Sequence, residues 1–268
     1  MKSSLQRAKE FIKALPPVNA YLKHAYKKHF LTARRCNLFF GVYPDMQTAS
    51  LQAPSGTHLG YDNQDAANMY DERTEQVHST DYPVLFWLSQ LSSSVNKIFE
   101  IGGHIGVSFY AYRKLLPSVK DMQWRILDVP AVTERGMKIA AAKGETRLTF
   151  TTRYEDSDTA DLLLAIGSLQ YIDTPLSDLI GSMAGVPDHI ILNMLPVNNI
   201  ETYYTVQNIG TAYCPYKIIN REELINDLAT LGYRLVDEWI NPEKHCWIGY
   251  SDNRYSLDHY CGFYFSRV

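Results

Sequence analysis

Cysteine is scarce in this chain and scattered where it occurs: Cys36, Cys214, Cys246 and Cys261 lie far apart, and no two form a C-x-x-C pair. That spacing indicates neither a zinc site nor a disulfide framework, and reduced thiols are the simplest reading. Long apolar runs are missing too. No stretch approaches the roughly 18 residues that a membrane span requires, and the N-terminus has no uninterrupted apolar segment of the kind that opens a secretory signal. Neither secretion nor membrane insertion is expected. The absence of H-E-x-x-H, of a metal-binding histidine pair and of G-x-S-x-G disfavours a metalloenzyme and a serine hydrolase, and no metal is expected. Acidic residues are nearly absent from positions 1–36, where nine lysines and arginines face Glu10 alone. That segment carries +8 and the remainder −11, for −3 overall.

What is present is ordinary in bulk: 268 residues, 46% apolar and 21% charged, enough for one α/β domain with a sizeable core and an N-terminal extension. Tyrosine is abundant at 19 residues, which suits either core edges or stacking in a substrate cleft. The most informative stretch is IFEIGGHIGVSFYAYR, residues 98–113. An apolar run reaches Glu100, turns through Gly102, Gly103 and Gly106, and continues with Val107, Tyr110 and Leu115 at helical spacing. This reads as strand, tight loop and helix. Glycines at such a junction let backbone N–H groups approach a ligand at the positive end of a helix. The dinucleotide fingerprint would need glycine two and five residues after Gly102, where His104 and Val107 stand, so a nicotinamide cofactor is a distant alternative. A carboxylate two residues before the first glycine suits a ligand carrying an ammonium and a sulfonium, as S-adenosylmethionine does. An ordinary turn in a cofactor-free α/β domain is the competing reading.

In chain order, helical spacing and interleaved lysines predict basic amphipathic helices over 5–15 and 20–33. Such helices can dock on the body of a protein, meet nucleic acid or lie on an anionic membrane; no nucleic-acid motif occurs, and no nucleic-acid partner is expected. Residues 37–80 are loop-rich, with a polar helix over 64–78 and the look of a lid. A helix over 84–91 precedes strands over 124–128, 148–151, 161–166 and 189–195, which alternate with helices over 131–143 and 175–183. This is βαβ periodicity. A long connection over 196–219 leads to a helix over 221–231 and strands over 233–239 and 260–266. Two final strands with no helix between them predict an antiparallel hairpin at the sheet edge, an ending typical of class I methyltransferases.

Ligands of open α/β sheets lie at the carboxyl ends of the strands. Glu100 and the glycine loop stand at the first such end. Asp128 stands at the second, where a carboxylate can accept from both ribose hydroxyls. AIGSLQYID, residues 165–173, stands at the fourth, placing Ser168 by the cofactor and Gln170 and Tyr171 by the acceptor, although Tyr171 could equally be a packed aromatic. Asn193, in the strand over 189–195, is a further acceptor-side residue. Methyl transfer is an in-line displacement that needs alignment and exclusion of water. A general base helps when the acceptor is a hydroxyl. His104 and His245, with Tyr171, are the candidates for that role; His58 sits in the lid-like region.

A series of motifs runs almost end to end: LPP before a basic helix (15–28), GVYPDMQTA (41–49), GYD (60–62), Tyr82-Pro83, FEIGGHIGVSFY (99–110), W-x-I-x-D (124–128), SLQYI (168–172), TVQN (205–208), YCP (213–215) and CGFYF (261–265). In order and spacing the chain resembles a family of class I S-adenosylmethionine-dependent methyltransferases whose genes often lie among bacterial surface-polysaccharide biosynthesis genes. The resemblance implies that Glu100, Gly102, Gly103, Gly106 and Asp128 hold the cofactor, with Gln170 and Tyr171 near the substrate. Two departures stand out. Many relatives carry a small polar residue at the position of His104, and an Arg-Thr-Pro-Phe-like strand end where this chain has Met194-Leu195-Pro196-Val197.

The expected architecture is a Rossmann-like α/β fold: a mostly parallel seven-stranded sheet, a C-terminal antiparallel hairpin and an N-terminal helical extension. Residues 1–95 are read as the extension and 96–268 as the methyltransferase domain. The expected activity is O-methylation of a sugar in a nucleotide- or lipid-linked glycan. A methyltransferase tailoring a small secondary metabolite and a catalytically silent cofactor-binding module are the alternatives. A cytoplasmic location with peripheral membrane contact through the basic N-terminus is expected, and the oligomeric state stays open.

Overall fold

The computed structural model describes residues 16–34, 37–54, 60–62, 74 and 76–268. The helix expected over 5–15, most of that expected over 64–78, and His58 lie outside them. Pro16 and Pro17 open helix α1 (Pro16–Thr32), where a fixed φ and a missing N–H are tolerated. Its stripe of Val18, Leu22, Tyr26 and Phe30 repeats every four residues and faces the protein, with Phe30 fully buried. The chain continues through β1 (Leu38–Tyr43), α2 (Met46–Ser50) and α3 (Tyr82–Leu91).

The alternating part follows: β2 (Lys97–Ile101), α4 (Val107–Tyr112), β3 (Gln123–Leu127), α5 (Pro130–Ala142), β4 (Leu148–Thr151), β5 (Leu162–Ile166), α6 (Leu176–Gly181) and β6 (His189–Leu195). After β7 (Val197–Asn198), β8 (Tyr203–Asn208) and β9 (Tyr213–Asn220) come α7 (Arg221–Ala229), β10 (Tyr233–Asn241) and β11 (Tyr260–Arg267). The main sheet has seven strands in the order β4-β3-β2-β5-β6-β11-β10. β4, β3, β2, β5 and β6 are mutually parallel, and β11 runs antiparallel between β6 and β10. This is the expected Rossmann-like sheet closed by an antiparallel hairpin. The inner strands read as continuous apolar runs because both faces are covered. Ile98, Trp124, Leu162 and Leu164 pack against α3 and α4, while Phe99, Leu163 and Ile190 pack with residues of α6 and α7.

The segment expected as a long connection over 196–219 is occupied by the strands β7, β8 and β9. With β1 they build a second, four-stranded sheet in the order β1-β8-β9-β7. β8 and β9 meet antiparallel around a short turn in which the Ile209 N–H bonds the Ala212 carbonyl at 3.1 Å. Every residue of β8 is buried, so the alternation that marks a half-exposed strand is absent from its sequence. Because β1 pairs with β8 and α3 supplies Val84, Leu85 and Leu88 to the core, residues on both sides of position 96 share the same packing.

The hairpin is fixed by one close contact. Gly262 on β11 lies beneath the indole of Trp239 on β10, and an added Cβ would stand 2.1 Å from a ring carbon. The Trp239 Nε1–H in turn donates to Asn193 Oδ1 at 3.0 Å, which limits how far the ring can retreat. Gly262→Ala is expected to destabilise the fold by about 1–3 kcal/mol, the range for overpacking a filled site. Urea denaturation of the two proteins checks this, and equal midpoints would contradict it.

Candidate active site

Strand order reverses between β2 and β5, since the chain proceeds from β2 to β3 and β4 on one side and from β5 to β6 on the other. The crevice at the carboxyl ends of these two strands is where open α/β sheets hold ligands. Ser168 spans it: its hydroxyl donates to the Ile101 carbonyl at 2.6 Å. Gly102, with φ 73°, passes so close that a Cβ would fall 2.3 Å from the Cβ of Ser168. Gly106, with φ 98°, is pressed against Tyr110 and Leu148. Each of these two glycines is thus required by a protein neighbour.

Glu100 is 1% exposed. Its Oε1 accepts from the Ser108 hydroxyl of α4 at 2.7 Å, and its Oε2 from the Trp124 indole N–H of β3 at 2.8 Å. Gly103 lies over this carboxyl, with room for no Cβ: one would be 2.5 Å from Oε2. Burial pushes the Glu100 pKa up to about 7, against the two hydrogen bonds that lower it, with Asp128 and Asp81 adding repulsion. The Glu100 carboxyl thus joins β2 to β3 and α4.

Asp128, half-buried just past β3, faces the turn directly. Its Oδ2 accepts from the His104 N–H at 2.9 Å and its Oδ1 from the Val129 N–H at 2.8 Å. Burial raises its pKa to about 6 despite these bonds, and nearby Asp62 raises it further. His104 itself is 8% exposed and held at φ 54°, a left-handed conformation that costs a residue bearing a Cβ about 1 kcal/mol or more. Met194, at the end of β6, is a second such residue with φ 57°, and the sequence carries no signal for it.

On the β5 side, Gln170 is 4% exposed and its buried Oε1 has no hydrogen-bond partner among the described residues. Tyr171, in the same short turn, donates to Gln207 Oε1 at 2.9 Å, and Gln207 Nε2 donates to Asn37. Residues 60–62 cross above: Gly60 N–H bonds the Tyr213 carbonyl, the Tyr61 ring stands 5.0 Å from that of Tyr171, and Asp62 accepts from the Ala131 N–H at the start of α5. Tyr61, Asp62 and Gln207 were not singled out by sequence reasoning. GYD and TVQN, the motifs that contain them, were the available signal.

Two expected residues stand apart. Asn193 is fully buried: it donates to the Thr80 carbonyl and accepts from Trp239 and Asn241, so it ties α3 to the hairpin. His245 is exposed on the loop between β10 and β11. The structure thus gathers Gly102, Gly103, His104, Gly106, Asp128, Ser168, Gln170 and Tyr171 around the switch point, with Glu100 against Gly103. A separate cavity of about 430 Å³ lies among Lys97, Gln123, Arg125 and Arg147, at the amino ends of the strands.

No family model and no curated protein matches the sequence. Solved structures similar to the chain include an O-methyltransferase of a trans-AT polyketide synthase multienzyme from Brevibacillus brevis, in complex with S-adenosyl-L-homocysteine. It is 13% identical over 70% of this chain and 72% of that one, with a TM-score of 0.49. A 1,6-didemethyltoxoflavin-N1-methyltransferase from Burkholderia thailandensis is 14% identical over 75% and 83%, with a TM-score of 0.47. Magnesium protoporphyrin IX methyltransferase from Synechocystis PCC 6803 is 14% identical over 78% and 96%, with a TM-score of 0.49. At such identities and scores the architecture rests on this chain's own strand order.

Because the Glu100 pKa is raised from 4.5 to about 7 on folding, the fold favours the protonated carboxyl, and stability is lost as pH climbs from 4.5 through 7. Glutamine retains an acceptor for Trp124 and a donor for Ser108 while carrying no charge. Glu100→Gln is therefore expected to gain on the order of 2–3 kcal/mol over the parent protein between pH 5 and pH 8. Denaturant titration at both pH values measures the difference, and a pH-independent offset would contradict the assignment.

Proposed function

We propose that the chain is a class I S-adenosyl-L-methionine-dependent methyltransferase that O-methylates a sugar of a nucleotide- or lipid-linked glycan. The observation that carries the cofactor reading is Asp128: a half-buried carboxylate at the end of β3, bonded to the glycine turn beside the switch point, where it can accept from ribose hydroxyls. The fit of the other residues agrees. Gln170 Oε1 is a buried acceptor with no partner among the described residues, as a site for an ammonium or hydroxyl donor would be. Asp128, Gly102, Gly103, Gly106 and Ser168 would hold the cofactor, with Glu100 bracing the turn.

S-adenosylmethionine, when bound, supplies an activated methyl group. The chain's own part is to align the acceptor and keep water out. Gln207 orients the Tyr171 hydroxyl, and Tyr61 covers it, so the acceptor side is lined with hydroxyl and amide groups suited to a polyhydroxylated molecule. His104 is the histidine adjoining Asp128 and is the candidate base. The sugar acceptor itself rests on the family resemblance of the sequence motifs.

A peripheral contact with anionic lipid is part of the same proposal. Helix α1 contains no acidic residue and exposes Lys23, Lys27 and Lys28, and Trp247, 49% exposed, packs edge-on against Tyr26 beside them. Since Phe30 of α1 is in the core, charge reversal tests this more cleanly than removal of the segment. Replacing the three lysines by glutamate is expected to abolish low-salt co-sedimentation with anionic vesicles, and unchanged partitioning would refute the contact.

Calorimetry with S-adenosylmethionine and S-adenosylhomocysteine tests the cofactor reading. Binding is expected, and Asp128→Asn should weaken it about tenfold or more, as loss of charge-assisted hydrogen bonds does. No heat and no thermal stabilisation at saturating ligand would sink the proposal. Binding without turnover on any glycan or small-molecule acceptor would leave a silent module.

A further inference from the structure

A second cavity, of about 330 Å³, opens between the four-stranded sheet and helices α6 and α7. It shares Leu169 with the short turn after β5 but none of the residues that face the glycine loop. Its floor is apolar, formed by Leu169, Leu176, Ile219 and Leu224. At its inner end lies Lys217 of β9, only 8% exposed. One of the three ammonium donors is used, on the Asp173 carbonyl at 3.1 Å. Burial lowers the Lys217 pKa, and Asp173 and Asp227 oppose the shift. The rim has the opposite sign. Asp173 and Glu223 are exposed there, each with one carboxylate oxygen engaged: Asp173 Oδ1 accepts from Tyr204, and Glu223 Oε2 from Thr202. Asp227, which also lines the cavity, accepts from the Ser177 N–H and hydroxyl, one bond on each oxygen.

The cavity thus combines a buried cation with two further donors, exposed carboxylates with spare acceptors, and an apolar wall. A purely anionic ligand would meet the rim carboxylates, and a purely cationic one would meet Lys217. A long, buried ammonium with unmet donors is costly unless a ligand completes them. We propose that this cavity binds a small zwitterion of the α-amino-acid type, its carboxylate on Lys217, its ammonium between Asp173 and Glu223, and its side chain on the apolar wall. The site is independent of methyl transfer, because it uses no residue assigned to the cofactor or acceptor.

The test is calorimetry and thermal-shift measurement on the full chain with the common α-amino acids, with isocaproate and isoamylamine as single-charge analogues of leucine. At least one amino acid should bind, and neither analogue should. Lys217→Met should abolish binding. Glu223→Gln, a change at the exposed rim that keeps an acceptor for Thr202, should weaken it about tenfold, as expected for removing one charged partner. No binding by any amino acid, equal binding of the analogues, or unchanged affinity in Glu223→Gln would overturn the proposal. S-adenosylhomocysteine affinity should be the same in Lys217→Met as in the parent. A fall confined to that ligand would make the cavity an extension of the cofactor site instead. Failure of S-adenosylhomocysteine to bind at all, with amino-acid binding intact, would remove the methyltransferase reading and leave this one standing.

Discussion

The arrangement of the crevice depends on one buried carboxyl. Glu100 reaches across to Trp124 on the neighbouring strand and down to Ser108 on the following helix, so a single side chain joins β2, β3 and α4. Those three elements carry the first two strand ends of the site. The contact also dictates Gly103, which has to lie on the carboxyl with no Cβ between. The cost is desolvation of an acid, expressed as a preference for the protonated form near neutrality. Tyr112 and Asp81 extend the same polar layer, with the Tyr112 hydroxyl donating to Asp81 at 3.0 Å and Asp81 capping the turn ahead of α3. A polar network of this kind fixes one packing arrangement because alternatives would leave its members unpaired.

Above that brace, the two sides of the switch point are fastened to one another. Ser168 holds the β5 side to the end of β2, and Asp128 holds the β3 side to the His104 amide. Residues 60–62 then bridge from the second sheet to the start of α5. The site is therefore defined by backbone groups and short side chains, which suits a function in which alignment matters more than proton chemistry. The left-handed His104 is the strained member, and its conformation is imposed by the Asp128 bond and the flanking glycines.

Much of the main sheet was legible because its strands and helices obey their own periods: the runs at 98–101 and 162–166 have the continuous apolar character of strands covered on both faces, and α5 and α7 show helical spacing. Asp128 was legible because a carboxylate at a strand end is a positional signal. Glu100 is legible from the motif as a strand-end carboxylate, while its bonds to Ser108 and Trp124 are not, since a sequence does not show which neighbours the folded strand offers it. Asn193 drew attention as a polar residue in an apolar strand; its partners Thr80, Trp239 and Asn241 are distant in sequence, so its structural role was invisible. The second sheet was missed for a related reason: β8 is buried throughout, and its register with β1 closes a gap of about 160 residues that no local pattern encodes.

That second sheet gives the chain more than a cover for the crevice. Successive residues of a strand point to opposite faces, and on β9 this separates Tyr216 from Lys217. Tyr216 stacks edge-on with Tyr171, 5.3 Å between ring centroids, and so supports the β5 side of the switch point. Lys217, its neighbour, reaches the Asp173 carbonyl two residues beyond Tyr171 and defines the inner end of the other cavity. The turn at 169–173 is consequently gripped from both faces of one strand.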